Sequence, residues 1–262
     1  MKRRALIGHT GFVGSNLRAA GGYTDFYNSS NFYEMAGEGY DEIVCSGISA
    51  MKWLANKEPE EDWLAIQRLL DVLQKTTTER FVLISTIDVY PDPKLPLNEN
   101  AVLEGLPNHP YGRHRLAIER WVLERFSVSL VIRLPALFGP GLKKNALYDL
   151  LHQNGVENIN PAATFQWYPV NRLSDDIALA STNDLRLVNL FTAPLAMGDI
   201  VDEFFPGAPI GSAVNPAPAY NLRTRHAAHF GGRDGFVIDA DQVRRALRSY
   251  IASMRCGRSA AL

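Results

Sequence analysis

Three glycines spaced three residues apart follow the first apolar segment of the chain, and they constrain the fold more than any other feature of the sequence. Ala5–Ile7 is short and apolar, as a buried parallel strand requires. Gly8 permits a tight turn, Gly11 allows a phosphate to approach the backbone, and Gly14 lets the next helix pack closely on the strand. The segment therefore predicts a strand, a dinucleotide-binding turn and a helix whose amino terminus faces the phosphates.

Any sharp turn from strand to helix can require glycines, so the pattern alone is weak evidence for a ligand. The residues around the glycine turn favour a dinucleotide-binding site. An apolar strand precedes the glycines, and Val13 and Leu17 form an apolar pair at helical spacing behind the turn. A purely structural turn is the alternative, and this context favours the dinucleotide site.

The composition favours small-molecule chemistry in a reducing compartment. At 262 residues with 46% hydrophobic side chains, the chain can bury a substantial core, and a formal net charge of -1 gives no electrostatic basis for binding nucleic acid. Its two cysteines, Cys45 and Cys256, stand far apart, which argues against a disulfide framework and a cysteine metal site. Without a recognisable signal peptide or membrane span, we expect a cytoplasmic protein that binds no metal, nucleic acid or membrane.

Short apolar segments alternate with helical patterns along the chain. The predicted strands are Ala5–Ile7, Thr24–Tyr27, Glu42–Cys45, Phe81–Ser85, Leu130–Leu134 and Leu187–Phe191. Pro59 opens an amphipathic helix near residues 60–74, and a second helix begins near Pro110 and runs to Phe126. This alternation predicts an α/β fold with a Rossmann-type, doubly wound parallel sheet.

The character of the sequence changes near Phe138, where prolines and glycines become frequent. We therefore expect a dinucleotide-binding Rossmann domain over residues 1–137, to which residues 171–192 return. The remainder is expected to form a small, loop-rich substrate lobe. That lobe comprises residues 138–170 and 193–262, so it is discontinuous in sequence.

Further motifs stand at the end of the predicted fourth strand and in the helix after it. The strand ends in Ser85-Thr86-Ile-Asp-Val-Tyr90, and the helix carries Tyr111 and Arg115. Residues four apart project from one face of a helix, so this tyrosine and arginine can meet the same ligand. Arg133-Leu-Pro-Ala-Leu-Phe-Gly-Pro140 follows. With the glycine turn, this order resembles the extended short-chain dehydrogenase/reductases, and more narrowly the nucleotide-sugar epimerases, dehydratases and 4-keto-sugar reductases.

The resemblance implies a catalytic group. Tyr111 would be the general acid/base at a sugar oxygen, Thr86 would hold that oxygen by a hydrogen bond, and Arg115 would anchor the nicotinamide ribose and favour the phenolate. The family normally has lysine at position 115, and arginine keeps the charge but cannot join a proton relay. A dinucleotide-binding sensor or scaffold with an impaired site is therefore the alternative to an active enzyme.

The resemblance also implies the cofactor site. The expected cofactor-binding residues are Gly8, Thr10, Gly11, Phe12, Val13, Gly14, Asn28, Ser29, Ser30, Ser46, Gly47, Tyr111, Arg115 and Pro135. A carboxylate at the end of the second strand would bind the ribose 2'-hydroxyl of NAD, but none stands between Asp25 and Asn31. The amides and hydroxyls there can donate to a 2'-phosphate. We therefore expect NADP, with NAD as the alternative.

For the substrate, the resemblance implies a nucleotide-linked or similarly phosphorylated keto-sugar that is reduced or epimerised. The expected substrate-binding residues are Asp88, Asn145, Arg172, Arg223 and Arg225. Arginine pairs suit phosphate because their forked donors match its oxygens. The short connection between Gly14 and the strand at Glu42 resembles the deoxysugar 4-keto-reductase branch and favours a reductase.

The resemblance finally implies an assembly. The two helices near residues 60–74 and 111–126 are where relatives form a four-helix interface between subunits. Both helices carry additional apolar residues, among them Trp63 and Trp121. We therefore expect a homodimer.

Overall fold

The computed structural model describes residues 2–259, which divide into two compact units. The first unit contains the described residues up to Asp92, Ala101–Leu134 and Leu173–Asn189, and the second contains Pro93–Asn100, Pro135–Arg172 and the described residues from Leu190 onward. Residue 1 and residues 260–262, which the predicted domain bounds include, lie outside the described residues. Within residues 2–259, no helix combines the length and the apolar character that crossing a bilayer requires.

The secondary structure follows the predicted alternation. The strands are β1 (Arg4–Ile7), β2 (Asp25–Tyr27), β3 (Gly39–Cys45), β4 (Thr77–Thr86), β5 (Ser129–Leu134), β6 (Ala136–Phe138), β7 (Thr164–Pro169), β8 (Leu187–Asn189) and β9 (Pro194–Ala196). The helices are α1 (Phe12–Ala20), α2 (Lys52–Lys57), α3 (Pro59–Leu73), α4 (Pro110–Arg125), α5 (Ala146–His152), α6 (Leu173–Thr182), α7 (Met197–Phe204) and α8 (Ala240–Ser259). Each predicted apolar segment overlaps a strand, and both predicted helices are present as α3 and α4.

Six strands of the first unit form one parallel sheet in the order β2-β1-β3-β4-β5-β8. The register pairs Ile7 with Cys45 and Cys45 with Leu83, so the carboxyl ends of β1, β3 and β4 lie along one edge. The strand order reverses beside β1, and ligands of open α/β sheets bind at such a point. The predicted doubly wound α/β fold is confirmed.

The last strand of this sheet is shorter than the apolar segment Leu187–Phe191 suggests. β8 ends at Asn189, and Leu190 and Phe191 belong to the second unit. There the Phe191 carbonyl accepts a hydrogen bond of 2.9 Å from the Val237 N–H. The apolar segment is buried throughout, so its hydrophobic pattern does not mark where one unit ends and the other begins.

The second unit is more regular than its proline and glycine content predicts. It contains a three-stranded sheet in which β7 pairs in parallel with β6 and antiparallel with β9. The buried Gln166 side chain on β7 donates to the carbonyls of Thr192 and Leu222 and accepts from the Leu222 N–H. One side chain thereby satisfies backbone groups of two irregular segments, which orders them without further strands.

The core of the first unit lies between its sheet and the helices α3 and α4. Ile66 and Leu73 of α3 and Ile118 and Val122 of α4 are buried at helical spacing against the sheet. Further apolar side chains of these helices are partly buried against the same core, namely Trp63, Leu70, Trp121 and Leu123. Much of the apolar surface expected at a dimer interface is therefore already used within one chain, and the homodimer stays a prediction.

A buried ion pair joins α4 to β5 of the parallel sheet. Glu119 on α4 and Arg133 on β5 are 1% and 4% exposed, and the closest nitrogen-to-oxygen distance between them is 2.6 Å. Ser85 on β4 donates to the same carboxylate, while Arg133 donates to the Tyr90 hydroxyl, which also accepts from Asn189 on β8. A charge buried this deeply needs all these partners, because the interior solvates it poorly.

Glu119→Gln should therefore destabilise the first unit strongly, since it leaves the Arg133 charge buried without its carboxylate. We expect the free energy of unfolding to fall by about 3 kcal/mol in urea denaturation followed by circular dichroism. Glu104→Gln removes an exposed ion pair with Arg120 and is the matched control, with an expected loss below about 1 kcal/mol. Equal losses in the two variants would contradict the importance of the buried pair.

Candidate functional site

The turn after β1 leaves no room for a side chain at two of its three glycines. Gly8 has a φ of +84°, and a Cβ there would lie 2.6 Å from the Gly47 Cα. A Cβ on Gly14 would lie 2.0 Å from the Gly8 carbonyl oxygen. Gly11 is exposed, and its Cβ would meet that same oxygen at an ordinary 3.4 Å. The loop is thus tight on its inner side and open at Gly11, as a phosphate at the start of α1 requires.

The turn after β3 packs directly on this loop. The Ser46 N–H and hydroxyl both donate to the Ile7 carbonyl, each at 2.9 Å, which holds Ser46 and Gly47 beside Gly8. The other residues predicted here follow the glycine turn: Thr10 is exposed, and Phe12 and Val13 are half-buried in the first turn of α1. The structure therefore brings the predicted residues after β1 and β3 together at one edge of the sheet.

The predicted residues after β2 form a compact loop. The Asn28 side-chain oxygen accepts from the Ser30 N–H at 2.8 Å and from the Ser30 hydroxyl at 2.6 Å, while Ser29 is exposed. Asp25, the carboxylate on β2, is paired with Arg3 at 3.0 Å. The negative charge of Asp25 is therefore paired with Arg3 within the first unit.

A cation that sequence analysis overlooked lies close to this loop. Arg18 near the end of α1 packs over the Phe26 ring, 4.8 Å from its centroid, and its guanidinium lies 3.3 Å from the His9 Nδ1. Burial and the neighbouring Arg18 lower the pKa of His9, so the neutral imidazole can accept from the guanidinium. Arg18 stands only four residues after Gly14, but the sequence does not show that its side chain turns toward Phe26 on β2.

Tyr111 and Thr86, the predicted catalytic pair, are brought together between α4 and the end of β4. Tyr111 is 6% exposed, and the Arg115 guanidinium carbon lies 4.2 Å from the centroid of its ring. Burial raises the pKa of Tyr111, while the charge of Arg115 and hydrogen bonding by Thr86 and Arg115 lower it. The site thus holds a buried phenol whose ionisation depends on the groups beside it.

Arg115 is buried, and hydrogen bonds to two other segments of the chain hold its guanidinium. Its guanidinium donates to both carboxylate oxygens of Asp62 on α3, at 2.7 and 3.1 Å, and to the Ser49 carbonyl. Burial alone would raise the pKa of Asp62, but hydrogen bonds from Arg115 and His114 outweigh it and lower the pKa. The contact between Arg115 and the nicotinamide ribose stays a prediction. In such a contact, the ribose would bind a guanidinium that already donates to Asp62 and to the Ser49 carbonyl.

Asp62, Asn56 and Lys52 are site residues that sequence analysis missed. Asn56 accepts the Tyr111 N–H at 3.0 Å, and the Lys52 ammonium lies 2.7 Å from Asp88. Asp62 belongs to the acidic first turn of α3, which resembles an ordinary helix start. Lys52 lies between β3 and α3 in sequence, and its pairing with Asp88 appears only in the fold. No signal in the sequence links any of these residues to α4.

The remaining predicted residues lie in the second unit. Asn145 caps α5, accepting from the Leu147 and Tyr148 N–H groups, and its amide donates to the Leu137 carbonyl. Arg225 donates to Asn100 through its side chain, and Arg223 lies 3.9 Å from the Phe236 ring centroid. Arg172 is half-buried and Pro135 is buried, directly after β5. Their predicted roles toward substrate and cofactor stay predictions.

Comparison with known protein families gives a family match for this chain. The model of the NAD dependent epimerase/dehydratase family matches residues 23–164, more than half of the chain. The chain belongs to this family. It is therefore an NAD(P)-dependent enzyme of the short-chain dehydrogenase/reductase type, as the motifs implied. No curated protein gives a significant match to the sequence.

Solved structures of similar fold include both epimerases and reductases. UDP-N-acetylglucosamine 4-epimerase from Methanobrevibacter ruminantium M1, in complex with UDP-N-acetylmuramic acid, is 15% identical with a TM-score of 0.75 over 96% of this chain and 97% of that one. RMD from Pseudomonas aeruginosa, complexed with NADPH, is 20% identical with a TM-score of 0.73 over 96% and 99%. dTDP-4-dehydrorhamnose reductase from Yersinia enterocolitica is 17% identical with a TM-score of 0.74 over 97% and 100%. At these identities, the likeness shows the fold.

Gly11→Ala and Gly14→Ala should separate cofactor binding from folding. The alanine at position 11 should change the free energy of unfolding by less than about 1 kcal/mol, yet weaken NADPH or NADH binding at least about tenfold, because its methyl group occupies the open side of the loop. The alanine at position 14 clashes with the backbone and should destabilise the fold by about 1–3 kcal/mol or more. Urea denaturation and fluorescence titration measure the two effects. Unchanged cofactor affinity at position 11 would contradict the placement of the phosphates.

Proposed function

We propose that the chain catalyses the NAD(P)-dependent reduction or epimerisation of a nucleotide-linked or similarly phosphorylated keto-sugar. The observation that carries this proposal is the buried Tyr111 phenol, with the Thr86 hydroxyl beside it and the Arg115 guanidinium over its ring. Membership of the epimerase/dehydratase family supports the redox chemistry. The complex of the similar epimerase with UDP-N-acetylmuramic acid supports a nucleotide-linked sugar as the substrate class.

In the proposed reaction, the cofactor, when bound, supplies the hydride that reaches the carbonyl carbon of the substrate. Tyr111 donates its phenolic proton to the carbonyl oxygen, so the carbonyl becomes a hydroxyl group and the phenol becomes a phenolate. Thr86 donates a hydrogen bond to the same oxygen and orients it. In the reverse direction, the phenolate removes the proton of a sugar hydroxyl, so one tyrosine serves both reduction and epimerisation.

Arg115 stabilises the phenolate in this proposal. Its positively charged guanidinium lies over the ring of Tyr111. Asp62 and the Ser49 carbonyl hold it in that position. A planar, bidentate group meets these partners and the ring together, which a single ammonium cannot do. This supports an adapted site over an impaired one.

Reduction is the preferred form of the reaction. Only the 3₁₀ helix Phe32–Met35 connects β2 to β3, in place of the full helix of a complete βαβ unit. This is the short connection that resembles the 4-keto-reductase branch. A reductase gives its hydride to the substrate permanently, whereas an epimerase returns it.

We further propose that the enzyme works in the cytoplasm as a homodimer through α3 and α4.

We propose NADP as the preferred cofactor. Asp25 is paired with Arg3, so it is not directed at a ribose 2'-hydroxyl. Arg18 places a cation over Phe26 on β2, beside His9 of the glycine turn. An arginine in this position can pair with a 2'-phosphate through its forked donors.

Tyr111→Phe should abolish turnover while leaving the cofactor bound. We expect kcat with a nucleotide-linked 4-keto-sugar and NADPH to fall at least about 100-fold, because the acid is lost. The Kd for NADPH, measured by fluorescence titration, should stay within about threefold. Tyr33→Phe, at a tyrosine that is 60% exposed, is the matched control and should keep full activity. Retained turnover in Tyr111→Phe would refute the assignment.

Arg18→Ala should weaken NADPH binding selectively. We expect the Kd for NADPH to rise about tenfold, since one charged contact to the 2'-phosphate is lost, while the Kd for NADH stays nearly constant. The exposed Arg68 on α3 offers a control, and its alanine variant should affect neither cofactor. An equal loss of affinity for both cofactors would contradict a 2'-phosphate contact, and tighter wild-type binding of NADH than of NADPH would overturn the preference itself.

A further inference from the structure

Lys52 and Asp88 form an ion pair next to the proposed catalytic group. Lys52 is the first residue of α2, after the turn that follows β3, and Asp88 lies in the short 3₁₀ helix Ile87–Val89 that follows β4. The distance from the Lys52 Nζ to the Asp88 Oδ1 is 2.7 Å. The lysine side chain is 41% exposed and the aspartate side chain 18%. The sequence predicts that Asp88 binds substrate, and the proposed reaction gives Lys52 no role.

Asp88 is held in place at the end of β4 and connects Lys52 to Thr86. The Asp88 N–H donates to the Thr86 hydroxyl oxygen at 3.2 Å, and the Thr86 hydroxyl lies 3.5 Å from the Asp88 Oδ2. The Asn108 amide donates to the Asp88 carbonyl at 3.0 Å, which fixes the backbone. One oxygen of the Asp88 carboxylate therefore contacts the Lys52 ammonium, and the other lies near the Thr86 hydroxyl, which hydrogen-bonds to Tyr111.

Opposing charges act on the Tyr111 phenol from two sides. Arg115 favours its anion, and Asp88 disfavours it. Asp62 pairs with Arg115 and partly neutralises its charge. The net electrostatic effect on the Tyr111 phenol therefore depends on whether the Asp88 charge is paired as well. The charged and titratable groups around this region are Lys52, Asp62, Asp88, His109, Arg113, His114 and Arg115.

Of these groups, Lys52 is the one in contact with the Asp88 carboxylate. His109 accepts the Gly112 N–H through its Nδ1, and burial and the charge of Lys52 lower its pKa, so it stays neutral and adds no compensating charge. Arg113 is exposed and donates to the Asn108 carbonyl. The ammonium of Lys52 is thus the cation that opposes Asp88 at short range.

We propose that Lys52 is a positioning residue for the proton transfer: its ammonium holds the Asp88 carboxylate and offsets that negative charge at the Tyr111 phenol. The inference rests on the proposed function of Tyr111 as the acid/base. Lys52 does not itself exchange the proton in this proposal. It lowers the pH at which the phenolate forms, because one uncompensated charge within about 10 Å of a buried group shifts its ionisation by about one pH unit.

The sign of each substitution follows from this charge balance. Lys52→Met leaves Asp88 uncompensated, so the phenolate becomes harder to form and the pKa of Tyr111 rises by about one unit. Asp88→Asn removes the unfavourable charge and lowers the pKa. The double variant removes both charges and should return the pKa close to that of the wild type. Lys52→Arg keeps the cation and should keep the wild-type value.

The test is the ¹³Cζ chemical shift of Tyr111 as a function of pH, assigned with Tyr111→Phe, in protein labelled at its tyrosines. The expected order of pKa is Asp88→Asn lowest, wild type and double variant in the middle, and Lys52→Met highest. The pH profile of kcat should move in the same direction in each variant. Lys57→Met, which removes an exposed lysine paired with Glu58 at 3.5 Å on the same helix, is the matched control and should change neither.

The outcomes distinguish this inference from the proposed function. A Tyr111 pKa in Lys52→Met at or below the wild-type value overturns the role of Lys52, and so does a rise that the added Asp88→Asn fails to reverse. Full turnover in Tyr111→Phe overturns the proposed function, while the order of the pKa values can still be measured. The expected order together with an inactive Tyr111→Phe supports both.

Discussion

The buried ion pair between Glu119 and Arg133 is the interaction on which the site depends. It fixes α4 to β5, and Ser85 ties the same carboxylate to the end of β4. Tyr111 lies two turns before Glu119 on the same helix, so its distance from Thr86 is set by this pair. Breaking such a pair leaves a charge that the interior cannot solvate, which makes the position of α4 rigid. Rigidity of this kind is what a general acid needs to meet one substrate oxygen.

A second ion pair fixes the amino-terminal part of α4. Arg115 on α4 binds Asp62 on α3, while the same guanidinium covers the ring of Tyr111. One arginine therefore holds two helices together and provides positive charge at the phenol. This double task explains why arginine suits a position where the resembling family has lysine, since a fork of donors is needed to reach all these partners.

The site as a whole stands where parallel strands end and their order reverses. The turns after β1 and β3 approach each other closely at Gly8 and Gly47, and the side expected to bind the cofactor phosphates is open at Gly11. Thr86 and Asp88 follow β4, the next strand of the same sheet. The glycine turn and Thr86, which the proposed function pairs with Tyr111 of α4, are thus both attached to strand ends of one sheet. The Lys52–Asp88 ion pair lies at the same edge of the sheet, after β3 and β4.

The sequence by itself determined the parallel sheet, the glycine turn and the shared helical face of Tyr111 and Arg115, because period and local sterics encode all three. Only the tertiary structure decided which charges meet. Asp62, Lys52 and Glu119 acquire their roles from partners far away along the chain, and the sequence alone records no such pairing. The tertiary structure also decided that Asn145, which the sequence predicts to bind substrate, caps a helix. Local patterns fix elements, whereas ion pairs across elements depend on how the strands and helices pack together.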